Sequence, residues 1–451
     1  MIRVCLFLLI SVPMSRAQVT PRDILTTRFS AQAVQDALIP RADWRPYPNT
    51  PDAWRQALSD SLRQQLIQRG ELAATKDFPG LPATLMLEYV RTTDRDRYQQ
   101  ASYAKRDQLL DLALAESIEG KGRFTDAILN GVWSICEESF WGVPAHLSAQ
   151  RAGSGLPDVD DRIVDLFAAE TAAALALTDY LVGAQLARLS PLVRPRIYRE
   201  TNERIFKPIQ QSDRYSYLKR GAKVNNWNPW IMTNWLTATL LLEPDAARRS
   251  QMTHAAMQGL DIYLNGLGPE GGCDEGPSYW FAAGGCVFDA LELLHSATRG
   301  KVDVYANPLI RNMASYVYKM HIDQNFFVNF ADADPTLRSD GLMLYRFGRQ
   351  IGNDTLARFG QWAYQRYGFL LNISDSPRSA GFHHRQRQIQ NLLTIGQIPA
   401  YTTPFQEVQN AWFSDVQVMT ARSDRGLYVA THAGHNGESH NHNDVGDFIL
   451  Y

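Results

Sequence analysis

DRIVDLFAAETAAALALTDYLVG, residues 161–183, is the stretch on which the fold turns. Its apolar residues recur at spacings of three and four, the period of a helix, yet they occupy more than one face. A helix that is greasy all round has to lie inside something. The stretches DAARRSQMTHAAMQGLDIYLNGL (245–267) and SYWFAAGGCVFDALELLHSAT (278–298) repeat the spacing. Helical signals run from roughly residue 30 to 380, with Pro, Gly and Asn in the connections, which predicts paired helices stacked as an arc or closed ring. No repeat of fixed period accompanies them, which argues against a short-repeat solenoid.

The character changes where QIPAYTTPFQ (397–406) brings two prolines. Beyond it, DVQVMTARSDRGLYVATHAG (415–434) alternates apolar and polar residues about a Ser-Asp-Arg-Gly turn, the pattern of a hairpin. The expected organisation is therefore a helical domain over 18–400 and the beginning of a β-sheet domain over 401–451. Two or three strands do not make an independent sheet, so the natural protein is expected to continue past Tyr451.

With 451 residues, 45% of them hydrophobic, the chain can bury a large core and is not a mostly disordered protein. Forty-five Lys and Arg nearly balance forty-seven Asp and Glu, so net charge suggests no nucleic-acid partner. Residues 1–17 carry an early arginine, an apolar run from Val4 to Met14 and Ser15-Arg16-Ala17, the parts of a cleavable signal peptide. The run is too short to span a bilayer. A periplasmic or secreted protein without a lipid anchor or membrane span is expected. Cys136, Cys273 and Cys286 then remain, an odd number that excludes a disulfide-built scaffold. A Cys273–Cys286 bridge and free packing thiols stay open as alternatives.

Three phrases could carry chemistry. In GAKVNNWNPWIMTNWL (221–236), Pro229 suits the first turn of a helix and Asn228 its cap. Asn225 and Asn226 would lie just outside that cap, where amides and free N–H groups can face an anion. Trp227 and Trp230 offer flat surface for a sugar ring, although a tryptophan more often belongs to the core. In EGGCDEGPSYWFAAGG (270–285), Gly276 and Pro277 open another helix with Tyr279 in its first turn. A helix N-terminus would ease ionisation of that phenol and make Tyr279 an acid or base; the plain alternative is a hydroxyl capping a loop. One helix, 245–267, intervenes, so the two N-termini are expected on one rim. In SHNHND (439–444), His440 and His442 are two apart, and on a strand they would share a face with Asp444, apt for a metal or for proton transfer.

Together NNWNPW, EGGCDEGPSYW and SHNHNDVGDF resemble the heparinase II/III-like family of polysaccharide lyases, and ICEESFWGVPAHL (135–147) shares that character. The resemblance implies an α+β multidomain chain, an N-terminal incomplete (α/α) toroid followed by the start of an antiparallel β-sandwich, with the cleft between them. It further implies β-elimination on an acidic, uronic-acid-containing polysaccharide or oligosaccharide. Asn226 matches the residue that neutralises the uronate carboxylate. His440 and Tyr279 match the base and acid, in an order set by sugar stereochemistry. His442 matches a ligand of a structural zinc whose other ligands, an aspartate and a histidine, are expected beyond Tyr451. Several relatives carry a histidine directly after the asparagine; Trp227 stands there in this chain, so the carboxylate clamp or the substrate differs. Asn225, Trp227, Glu275 and Glu138 are the expected substrate-binding residues. The acidic pairs Glu137–Glu138, Asp274–Glu275 and Asp332/Asp334 could instead cap helices or face water, and His146 and His383–His384 default to structural roles. Two other functions stay in view: a glycoside hydrolase on a helical toroid using two of these carboxylates, and a non-catalytic carbohydrate-binding protein.

Overall fold

The computed structural model describes residues 21–211, 214–369, 384–434, 440, 442 and 446–451. The expected signal peptide 1–17, His383 and Asp444 lie outside them. Seventeen α-helices among the described residues precede a four-stranded sheet.

Most of the stretch 161–183 lies in the helix Leu166–Leu189. It starts at Leu166 because the Asp165 side chain accepts the Ala168 N–H as an N-cap. Six alanines between Ala168 and Ala176 keep one flank thin, and the helix packs against Asp96–Glu119, Trp227–Leu242 and Arg385–Ile395. By length and hydropathy it is the one helix among the described residues that could cross a membrane, but 89% of its apolar window is buried inside the protein. Trp227–Leu242 is sheathed in the same way by Leu166–Leu189, Ala246–Gly266 and Gly284–Ala297. Each fully buried Leu, Ile or Phe in these interfaces contributes roughly 1.5–3 kcal/mol.

The helix expected over 278–298 is broken. One turn, Pro277–Trp280, is followed by irregular backbone at Phe281–Ala283 and then by Gly284–Ala297. Arg387 holds the break open, donating to the Phe281 carbonyl at 2.8 Å while its guanidinium pairs with Asp289 at 2.7 Å. A Cβ on Gly284 would come within 2.6 Å of the Trp280 indole, so only glycine lets the two segments meet there. Cys136, Cys273 and Cys286 are free and buried, which settles the thiol alternatives in favour of packing.

A short hairpin, β1 (His321–Asp323) and β2 (Phe326–Phe327), sits within the helical part. The sheet comprises β3 (Asn410–Phe413), β4 (Val418–Arg422), β5 (Tyr428–His432) and β6 (Asp447–Leu450), antiparallel in that order, and the Ser-Asp-Arg-Gly hairpin falls between β4 and β5 as the alternation predicts. Tyr428, Ala430 and His432 point to the buried face. That face docks on the helices: Phe413 meets Tyr316 edge-on at 5.1 Å, and His432 stacks on Phe330 at 5.4 Å. Arg422 donates to the carbonyls of His321 and Ile322.

Candidate active site

Four segments converge where the sheet meets the helices. The first is the start of Trp227–Leu242. Asn226, not Asn228, is its N-cap residue. Asn228 is buried two residues further on, donating its amide to the carbonyls of Tyr217 and Gly259, so tertiary demand displaces the cap expected from Pro229. The Trp227 N–H goes to the Asn225 side chain at 3.2 Å, and the Asn226 N–H to Glu275 Oε1 at 3.2 Å. The first free N–H groups of this helix are therefore taken by the protein's own oxygens rather than held for an anion.

The second segment is Asp274–Tyr279. Gly276, at φ 85°, turns the chain into the Pro277 helix, and a Cβ there would meet the Ala333 Cβ at 2.6 Å and the Phe330 carbonyl at 2.9 Å. That close approach brings in the third segment, the loop holding Asp332. Ser278 fixes it further by accepting the Asp334 N–H at 2.9 Å. The fourth is the connection from β5 to β6.

His440 and His442 lie in this connection and not on a strand. Strand β6 begins only at Asp447, and His442 sits in the left-handed region at φ 52°. The two imidazoles accordingly part company instead of sharing a face. His440 turns inward: its Nδ1 faces Asp274 at 3.6 Å and its Nε2 faces Glu275 at 3.9 Å. His442, more exposed, pairs with Asp332. Glu275 thus stands between Asn226 and His440, touching one through the backbone and facing the other across the site.

Burial pushes the Glu275 carboxyl up to about 7, against the pull of His440. Asp274 is shifted the other way: burial opposes its ionisation, but His440 and Lys223 outweigh burial and hold it below the ordinary carboxylate range. Burial alone would lower His440, yet Asp274, Glu275 and Asp332 raise it. Tyr279 is also raised, by burial first and then by Asp332 and Glu275. This corrects the expectation of an eased ionisation: a four-residue turn has little dipole to offer, and the neighbouring carboxylates are closer than any helix end.

Two groups of metal-capable side chains occur among the described residues, Asp274–Glu275–His440 and Cys286–Asp289–His384. In the second, Arg387 already supplies the cation for Asp289. In the first, the two carboxylates address different nitrogens of one ring, an arrangement suited to passing a proton. Neither group includes His442.

Glu138 is buried and engaged by Lys105 at 3.0 Å and by Arg106 at 2.5 Å, tying the Asp96–Glu119 helix to the loop after Thr125–Cys136. Trp227 is half-buried, 4.5 Å from the ring of His146. Asn225 spends its side-chain oxygen on the local turn.

No family model matches the sequence, and no curated protein does. Among solved structures, a heparinase III superposes with a TM-score of 0.50 at 14% identity over 93% of this chain. The fold is that of heparinase III. This chain covers 59% of that heparinase III. A Paenibacillus xanthan lyase also aligns, over 96% of this chain and 37% of its own, with a TM-score of 0.45 at 13% identity. The heparinase III fold accounts for the ordered succession of a helical body and an antiparallel sheet.

On this heparinase III fold, Asp274, Asp332 and His146 are neighbours of the site to which the sequence assigned no catalytic or binding role. Asp274 and Asp332 sit in acidic pairs, which sequence cannot tell from solvated loop residues. His146 was signalled only by its place in WGVPAHL.

Proposed function

We propose that the protein is an exported polysaccharide lyase, cleaving a uronic-acid-containing polysaccharide or oligosaccharide by β-elimination in a cleft between an incomplete (α/α) toroid and a β-sheet domain. The observation that carries this reading is the convergence on Glu275: Asn226 from a helix start and His440 from the sheet-side loop meet at one carboxyl, with Tyr279 four residues along. An amide, an imidazole and a phenol around one space are what the elimination requires.

In the proposed reaction Asn226 donates to the uronate carboxylate, which makes the C5 proton acidic. His440 takes that proton; Asp274 beside Nδ1 stabilises the imidazolium that forms. The C5–H electron pair becomes the C4–C5 double bond and the C4–O4 bond breaks. Tyr279, whose raised phenol keeps its proton, delivers it to the departing O4. As an acid and base pair for hydrolysis, Asp274 and Glu275 stand too close, since their ligand atoms lie within 4.8 Å of each other. Hydrolytic carboxyl pairs stand about 5 Å or more apart across the scissile bond.

The deciding experiment incubates the full-length protein with glycosaminoglycans, alginate and other uronates and follows ultraviolet absorbance from the new double bond. Saturated reducing ends without that absorbance would mean hydrolysis. Binding without turnover would mean a carbohydrate-binding protein.

Zinc is part of the proposal only in outline. His442 and Asp332 supply two suitable donors, whereas a structural zinc takes about four. Among the described residues the set is incomplete, and no step above depends on it. Metal analysis of the full-length protein is expected to return about one zinc per chain; a well-folded, zinc-free sample would remove this role from His442.

A further inference from the structure

We propose that the half-buried row Tyr103, Phe167, His146 and Trp227 forms an acidic-sugar subsite beside the reacting centre, in which His146 Nε2 receives an anionic group of the neighbouring sugar and Trp227 lies against its ring. This rests on the reading of the site as one for uronic-acid polymers.

The histidine is built for it. Asp165, with only 1% of its side chain exposed, faces His146 Nδ1 at 2.7 Å and also accepts the N–H groups of Val143 at 3.1 Å and Ala168 at 2.8 Å. A Cβ on Gly142 would fall 2.4 Å from Asp165 Oδ2, so glycine is needed to let the carboxylate in. A carboxylate with these partners accepts the Nδ1–H hydrogen bond and leaves Nε2 as the presented nitrogen; the form that meets an anion there is the imidazolium, in which Nε2–H donates as well. Nε2 has no hydrogen-bond partner among the described residues. A histidine that merely fills a core is satisfied on both nitrogens; this one is bolted at one and open at the other.

Its surroundings match a sugar. The His146 ring stacks on Phe167 at 5.9 Å and leans on Trp227 at 4.5 Å, and Tyr103 continues the row 5.0 Å from Phe167. Trp227 directly follows Asn226, so the row adjoins the proposed carboxylate clamp. The exposed Arg95, without an ion pair among the described residues, lies near enough to draw down both Tyr103 and Tyr279 against the burial that raises them. Apolar ring faces with cationic donors at their margin recognise an acidic pyranoside.

Two substitutions separate ligand contact from packing. His146→Asn keeps an N–H for Asp165 and deletes Nε2; His146→Gln places an amide near Nε2 and gives up the Asp165 bond. Binding of unsulfated hyaluronan and alginate oligosaccharides and of sulfated chondroitin and heparan oligosaccharides is measured by calorimetry on the full-length protein, with melting temperature recorded for each variant. Where turnover occurs, kcat and KM are measured as well. The subsite requires His146→Asn to melt like wild type yet bind roughly tenfold more weakly, the loss falling on KM rather than kcat, and His146→Gln to recover part of it. A loss confined to sulfated ligands assigns the contact to sulfate, and an equal loss across the panel assigns it to carboxylate. Wild-type affinity in a folded His146→Asn variant would overturn the proposal, as would a wild-type protein that binds none of these oligosaccharides. If His146-dependent binding occurs without unsaturated product, the lyase reading falls and the subsite stands.

Discussion

Tyr279 is where residue chemistry can be tested most directly. Its hydroxyl is half-buried beside Asp332 and Glu275, and both burial and those charges keep it protonated. A general acid must hold its proton, so activity is expected to persist through pH values up to about 10, the ordinary phenol value, and to fail only as pH rises through the raised one. Tyr279→Phe should reduce turnover by about 10²–10⁴-fold with an unchanged melting temperature. A variant that retained full turnover would remove Tyr279 from the mechanism. Glu275, pushed up to about 7, shows why residue type alone is a poor guide: the same carboxyl in a solvated loop would be an ordinary anion.

At the level of elements, the site depends on how tightly one turn packs against one loop. Gly276→Ala would force a side chain into a φ of 85° and against Ala333 and Phe330, displacing the loop that carries Asp332. A cost of about 1–3 kcal/mol from strain alone is expected, read as a lowered melting temperature with lost activity. The helix Leu166–Leu189 offers a second test. Glu170, buried and accepting the Trp230 indole N–H at 2.9 Å, has its carboxyl pushed up to about 8 by burial. The folded chain then binds a proton that the unfolded chain releases at about pH 4.3. Stability from this group is therefore present below that value and is lost as pH rises toward 8. Glu170→Gln keeps an acceptor for Trp230 and should flatten the decline of melting temperature across that window; parallel slopes in variant and wild type would sink the idea.

For the molecule as a whole, function depends on the sheet staying docked, because the loop bearing His440 hangs from β5 and β6. Phe413, 1% exposed, anchors that docking against Tyr316. Phe413→Ala is expected to cost about 3–5 kcal/mol in chemical denaturation. It should also lower turnover at temperatures where the protein remains folded, since His440 would no longer be held against Glu275. Unchanged turnover with reduced stability would show that the loop is positioned independently of the sheet.

The sequence alone determined what local pattern can determine. Period 3.6 called for helices over 161–183 and 245–267, apolarity on more than one face marked the first of them as buried, period 2 around Ser-Asp-Arg-Gly called for the hairpin, and the polar phrases named Asn226, Tyr279, Glu275 and His440 as residues worth attention. Tertiary structure decided the rest. It broke the 278–298 helix to serve a buried arginine, made Asn226 the cap because Asn228 was needed by distant carbonyls, and bent the histidine pair into a turn so that each met a different carboxylate. Those outcomes depend on partners far away in the chain. Proton affinity and hydrogen-bond satisfaction are set by neighbours in space, and no window of sequence contains them.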